Sequence, residues 1–182
     1  TLEASLALQK AGVDAGASSA GVLQLALAMQ TLSFGELDAQ KAAEGIGSGL
    51  IQFRRQFGTT TEETVEGARR VANAVTTLAN ETRASFGEVF NAFTKAAPVL
   101  SGFGESVEEV AGLLAIPLRA GVRGEEAGTA LSNLAQRLTA PSRPAQEILS
   151  RRQISLFEEG TGKTRPFIDV LDDLARVYGD VA

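Results

Sequence analysis

The sequence predicts a mainly α-helical protein: a compact bundle of about seven to eight helices, with a small β-hairpin near residues 154–165. Composition is the first observation, because 44% of the 182 residues are hydrophobic and the strong helix formers Ala and Leu supply most of them. Aromatic residues make up only 5%, and these and the β-branched residues are what strands prefer. The third observation is that apolar residues recur at helical spacing between closely spaced stop signals.

Three helical segments are predicted in the first part of the chain, over residues 2–10, 15–30 and 33–57. Asp14 is the predicted N-cap of the second segment. The third is predicted to start at Ser33, because Glu36 follows three residues later and the two side chains fit a capping box. Gly58 is the predicted stop of this helix.

The middle of the chain repeats this kind of start. Thr60 offers a second capping box, for a helix that ends near Asn80. The Ser-Phe-Gly-Glu start of Ser33 recurs at Ser85, ahead of the cleanest apolar stripe in the chain. Residues 33–80 and 85–121 are therefore candidate duplicated helical hairpins, and two ordinary capping boxes are the alternative. Pro117 is expected to end or kink the next helix, which begins at Ser106.

Residues 121–131 are the most informative segment, and they read Gly-Val-Arg-Gly-Glu-Glu-Ala-Gly-Thr-Ala-Leu. Gly121 is predicted to end one helix, and Gly124 stands just before the next. Gly128 and Ala130 are predicted to let these helices pack closely. A leucine series on one face of the second helix is predicted to be buried: Leu131, Leu134 and Leu138. The spacing predicts a tight helix–turn–helix joint, closed by Pro141.

The last part of the chain changes its pattern. A short helix is predicted over residues 142–151. Residues 153–157 then alternate apolar and polar, which favours a β-hairpin between residues 154–157 and 162–165. Pro166 is well placed in the first turn of a final helix.

Three glycines also lie inside the predicted third helix, between Gly45 and Gly49. Glycine inside a helix costs about 1 kcal/mol against alanine. Either another backbone packs closely there, or the helix has a hinge.

No residue is predicted to be catalytic, cofactor-binding or metal-binding, and the fragment is predicted not to be an enzyme. The chain has no His and no Cys, which excludes Ser-His triads, thiolate metal sites and disulfides. Acidic pairs occur at 62–63, 108–109, 125–126, 158–159 and 172–173, and three of them fall in first helical turns, where the helix dipole favours acids. Residues 160–164 resemble the end of a P-loop, but Phe157 stands where its first glycine must be.

Charge and hydropathy exclude two further classes of partner. The net charge of −5 disfavours nucleic acid, which requires a clustered basic face. The longest apolar stretches, residues 20–29 and 110–118, are too short to cross a bilayer, so no membrane contact is predicted from this fragment.

The glycine joint, Pro141, the Ile-Ser-Leu-Phe stretch and the Gly-Lys-Thr-Arg-Pro segment ending at Pro166 together resemble the conserved domain of tape-measure proteins from tailed bacteriophages and prophages. The match is strong over residues 105–178 and looser over residues 11–104. Pro117 departs from the pattern, because an uninterrupted helix usually precedes the joint. Since the chain starts at Thr1 without an initiator Met, residues 1–182 are read as a single domain cut from a longer protein.

The resemblance implies a structural and assembly role in the phage tail. Such proteins fill the growing tail tube, are bound by tail-assembly chaperones and set tail length by their own length. The implied partners are tail tube and tail-assembly chaperone proteins. Self-association is a separate expectation, which the resemblance does not supply. The implied location is the virion tail, and the host cytoplasm during assembly. The alternative is a generic helical protein-interaction module of a secreted or prophage-encoded bacterial factor.

Overall fold

A computed structural model describes residues 2–10, 13, 17–33, 36–158 and 160–179. The mainly α-helical prediction is confirmed, and ten α-helices lie in these residues rather than seven to eight. In chain order they are α1 (Leu2–Lys10), α2 (Ala17–Leu32), α3 (Ala39–Gln52), α4 (Arg54–Phe57), α5 (Thr61–Glu81), α6 (Phe86–Leu100), α7 (Val107–Arg119), α8 (Gly124–Thr139), α9 (Arg143–Arg151) and α10 (Phe167–Tyr178). A 3-10 helix, Ser101–Phe103, follows α6. The predicted N-cap Asp14 lies outside the described residues.

Capping boxes start three of the helices. Thr60 caps α5, Ser85 caps α6 and Ser106 caps α7, each with a glutamate three residues later. In every case the hydroxyl oxygen accepts the backbone N–H of the glutamate, and the carboxylate accepts the backbone N–H of the cap. These starts are confirmed because the signal lies within four residues of the chain and depends on no distant contact.

The predicted capping box at Ser33 is wrong. Ser33 lies just after α2, and its hydroxyl oxygen accepts the backbone N–H of Leu37 instead of capping a helix. The next helix begins only after Asp38, whose carboxylate accepts the backbone N–H of Lys41 at 2.7 Å. The segment predicted as one helix is further divided at Phe53, which separates α3 from α4. Ser33 and Ser85 therefore differ in structure, and the duplication of residues 33–80 and 85–121 stays a prediction.

Helices α5 and α6 lie at the centre of the packing. Helix α5 contacts α2, α3, α6 and α7, and α6 contacts α3, α5 and α7 and packs most extensively against α8. One cluster of buried apolar side chains runs from Ala4 in α1 to Val170 in α10. None of the described helices combines the length and the apolar character that a bilayer span requires.

The predicted β-hairpin is wrong as a pair of strands. Phe157 and Thr164 form one isolated antiparallel bridge, and the part of the chain that the structure describes contains no strand. The bridge is flanked by two backbone bonds, from the N–H of Arg165 to the carbonyl of Leu156 and from the N–H of Glu158 to the carbonyl of Lys163. The ladder stops there because the next N–H that could extend it, that of Phe167, starts α10 and donates to Glu105. On the other side the chain turns at Gly160 and Gly162, which both have positive φ.

Candidate functional site: the glycine joint between α7 and α8

Gly121 ends α7 in the way that the sequence predicts. Its φ is +84°, in the left-handed region that favours glycine. Its N–H donates to the carbonyl of Leu118, and the N–H of Val122 donates to the carbonyl of Pro117. This pair of bonds is a Schellman motif, which satisfies carbonyls that the end of a helix leaves free.

Pro117 does not end its helix, because α7 continues through it to Arg119. Pro117 lies in the last turn, where its carbonyl is the acceptor for Val122 in the Schellman motif. The proline therefore takes part in the end of the helix, and the departure from the family pattern leaves the joint intact.

Gly124 and Gly128 lie where α8 passes closest to α6. A Cβ atom at Gly124 would stand 2.0 Å from the backbone oxygen of Glu88, and one at Gly128 would stand 2.4 Å from that of Ala92. Both distances are far too short for contacting atoms. Gly124 is the first residue of α8 rather than a residue before it. The two glycines, one turn apart, therefore let the backbones of α8 and α6 touch. The prediction that Gly128 packs α8 against α7 is wrong, because its neighbours lie in α6.

Two further predictions for the joint are wrong. Ala130 is exposed and has no part in the close packing. Leu134 is 37% exposed, whereas Leu131 and Leu138 are buried as predicted. The buried face of α8 is instead completed by small residues, Ala127, Gly128 and Ala135, because the close approach to α6 leaves no room for larger ones.

The glycines of α3 are also packing positions. Helix α3 is continuous from Ala39 to Gln52. A Cβ atom at Gly45 would overlap the ring of Phe90, at 1.3 Å, and one at Gly49 would stand 2.8 Å from the side chain of Val71. These contacts favour close packing over a hinge.

Two glutamates cap helices from distant parts of the chain, and neither contact is predictable from a local sequence pattern. The Glu105 carboxylate accepts the backbone N–H of Phe167, the first residue of α10. The Glu36 carboxylate accepts the backbone N–H of Phe86, the first residue of α6, at 3.1 Å. Sequence separations of 62 and 50 residues put both bonds beyond any local pattern.

Glu105 is the most unusual charged group in the described residues, because it is only 2% exposed and one carboxylate oxygen, Oε2, has no hydrogen-bond partner. Burial raises its pKa most, and the negative charges of Glu109 and Asp169 raise it further. The hydrogen bond from Phe167 opposes the rise, because it favours the ionised form.

The acidic pairs take structural positions. Those at 62–63, 108–109 and 125–126 stand in the first turns of α5, α7 and α8 as predicted. Asp173 forms ion pairs with Arg165 and Arg176, and the hydrogen bond from Arg165 holds the pKa of Asp173 below its usual value. Within the described residues no group of three or more acidic side chains could hold a metal ion.

The segment that resembles a P-loop is a polar turn. The N–H of Glu158 donates to the carbonyl of Lys163, and Gly160 and Gly162 both have positive φ. The next helix starts only at Phe167, and its first N–H already donates to Glu105. The N-terminus of a helix that a P-loop needs for phosphate is thus used within the chain.

The chain is similar to tail proteins of bacteriophages. The family described as phage-related minor tail protein matches residues 1–182. The chain is 29% identical to a tape measure protein of Pneumococcus phage Dp-1 over 138 residues, which are 76% of this chain. It is 30% identical to a probable tape measure protein of Escherichia phage P2 over 104 residues, which are 57% of this chain.

The matched regions make up only 11% and 13% of these two relatives. No solved structure matches the chain. The match to the family nevertheless covers every residue. The chain therefore belongs to the family of phage-related minor tail proteins, and its similarity to two tape measure proteins identifies it as a tape-measure domain.

Proposed function

We propose that residues 1–182 form a single helical domain of a longer tape-measure protein. The domain contributes to tail assembly through protein–protein contacts, and to tail-length control only by belonging to the protein that sets the length; it performs no catalysis. Its partners are tail tube proteins and tail-assembly chaperones, which it meets in the host cytoplasm before the tail is complete. Membership of a tail-protein family supports this role over a generic interaction module.

The observation that carries the proposal is the short length of the helices. A ruler requires one long, continuous helix or coiled coil, because each residue then adds about 1.5 Å. The longest described helix, α5, has 21 residues, which is about 31 Å at that rise. Caps, glycines and prolines separate the others. The domain is thus a globular element carried by the ruler, and the length itself is set elsewhere in the protein.

Domain replacement tests whether tail length is set outside this domain. The domain is exchanged in the full-length protein for an unrelated helical bundle of equal size, and tails are measured by electron microscopy. We expect fewer complete tails, but those that form keep the wild-type length. Complete tails of altered length would contradict the proposal, because length would then depend on this domain.

Binding to tail components tests the contacts. The domain is used to capture purified tail tube protein and tail-assembly chaperone encoded at the same locus. We expect the domain to retain at least one of these two proteins. If a Gly128→Leu variant, in which the packing of α8 on α6 is disturbed, no longer retains it, the binding requires the folded domain. If the folded wild-type domain retains neither protein, the assembly role is wrong.

A further inference from the structure

A basin opens on the surface between α5 and α7. Its volume is about 310 Å³. Its floor consists of small or apolar residues: Ala74, Leu78, Ala111, Gly112 and Ala115. All are buried except Gly112, where an added Cβ atom would meet no other atom within 4 Å. The floor therefore has room for a side chain that comes from outside the molecule.

Two ion pairs bridge the basin from α5 to α7. The Arg70 guanidinium lies 2.6 Å from the Glu108 carboxylate, and the Arg119 guanidinium lies 2.7 Å from the Glu81 carboxylate. Each helix thus contributes two charged residues three turns apart, about 16 Å along its axis. The two helices run parallel, since the lower-numbered residues pair with each other.

The signs of these four charges alternate around the basin. On α5 the cation Arg70 precedes the anion Glu81. On α7 the order of the charges is reversed, because Glu108 precedes Arg119. If a two-fold axis parallel to the helices relates two copies, Glu108 of the second copy faces Arg70 of the first. If the axis instead runs perpendicular to the helices, in the plane of the contact, Glu81 of the second copy faces Arg70 of the first. Opposite charges face each other in both arrangements, and all four side chains remain at least one-third exposed.

An exposed apolar side chain stands beside the basin. Ile116 is 61% exposed, more than any other large hydrophobic side chain in the described residues. It follows Gly112 by one turn of α7. One face of the molecule therefore offers both a projecting isoleucine and an open floor, which suits an isologous contact in which each copy supplies both parts.

We propose that the α5–α7 face is a two-fold docking surface for a second copy of this chain. Ile116 of each copy packs against the basin of the other, and the alternating charges place opposite charges in contact between the copies. This contact depends on the fold and not on the role in tail assembly, so either can be wrong without the other.

Filling the basin tests the contact. The 182-residue chain and its Gly112→Leu variant are compared by sedimentation equilibrium. The wild type is expected to form dimers. The substitution is expected to raise the dissociation constant of the dimer about tenfold or more, and a tenfold change corresponds to about 1.4 kcal/mol. Gly87→Leu is the matched control, because Gly87 also lies inside a helix and its added Cβ would have no atom nearer than 4.0 Å. A monomeric wild type, or equal effects of the two variants, would overturn the proposal.

Charge inversion tests the contribution of the charges to the contact. A chain with Arg70→Glu, Glu108→Arg, Glu81→Arg and Arg119→Glu keeps both internal ion pairs and the alternating pattern. It is expected to form dimers with itself as the wild type does, and to mix poorly with the wild type, because like charges then face each other. Native mass spectrometry of the mixture measures the mixed dimer, and a random proportion of it would contradict the proposal.

Discussion

Gly124 and Gly128 set the distance between α8 and α6, because no side-chain atom fits between the two backbones there. We expect Gly128→Ala to lower the free energy of unfolding by about 1–3 kcal/mol, the usual cost of overpacking. Gly124→Ala meets a backbone oxygen even closer and should cost at least as much. Urea denaturation measures both effects.

Gly112→Ala is the matched control for these substitutions. Gly112 also lies inside a helix, but its added Cβ has open space. The alanine there should raise the free energy of unfolding by about 1 kcal/mol, through helix propensity alone. Equal effects at Gly112 and Gly128 would mean that the close approach of α8 to α6 does not limit side-chain size.

Glu105 makes the stability of the fold depend on pH. Its pKa is raised above the ordinary 4.5, chiefly by burial. A raised pKa means that the folded protein favours the protonated acid. The contribution of Glu105 is therefore fully present below about pH 4.5 and is lost as the pH rises through the raised pKa.

The Glu105→Gln variant tests this dependence, since glutamine keeps an acceptor oxygen for Phe167 and does not titrate. We expect the unfolding free energy of the variant, relative to the wild type, to increase between about pH 4 and about pH 8. Urea denaturation across this range measures it. A difference that stays constant with pH would show that Glu105 does not titrate differently in the folded state.

At the scale of single elements, each capping box stabilises the start of its helix, and one substitution can remove the hydrogen bond that the cap hydroxyl accepts. Ser106→Ala deletes the hydroxyl that accepts the N–H of Glu109, and we expect a loss of about 1 kcal/mol in unfolding free energy. Ser142 provides the comparison, because it stands at the N-cap position of α9 without a side-chain capping bond. Thermal or urea unfolding of Ser142→Ala should show a clearly smaller loss. The same loss in both variants would contradict the role of the hydroxyl.

Helix starts were predictable where their signal is local and unopposed. Thr60 and Ser85 cap their helices as predicted. Ser33 carries the same local pattern, yet Asp38 caps the helix that follows it, because two caps competed within a few residues. The hairpin was predicted from alternation alone, and it is limited to one bridge because the next N–H that could extend it, that of Phe167, donates to the distant Glu105.

At the scale of the molecule, α10 is attached to the rest of the fold mainly through its first turn. Phe167 and Val170 are the only residues of α10 that are buried, and the Phe167 ring packs edge-on against Phe103. We expect Phe167→Ala to release α10 while the remaining helices stay folded. Hydrogen exchange should show loss of amide protection in α10 and retained protection in α5. Loss in both helices together would mean that α10 unfolds only with the whole protein.

The fold class and the family followed from the sequence, because composition and periodicity act over the whole chain and the glycine joint is a continuous segment. The contacts between distant segments did not. The backbone approach of Gly124 and Gly128 to α6, the caps supplied by Glu36 and Glu105 and the α5–α7 basin depend on which helices become neighbours. A single sequence does not encode that choice in any local pattern.

The bond between Glu105 and Phe167 also has a consequence for the order of events during synthesis. Chains fold from the N-terminal part first as they leave the ribosome. Glu105 emerges 62 residues before its partner, so for that interval its carboxylate is hydrated and ionised in the ordinary way. The N–H of Phe167 reaches this carboxylate only once α10 has docked. Completion of the fold is therefore the step at which Glu105 is placed in the surroundings that raise its affinity for a proton.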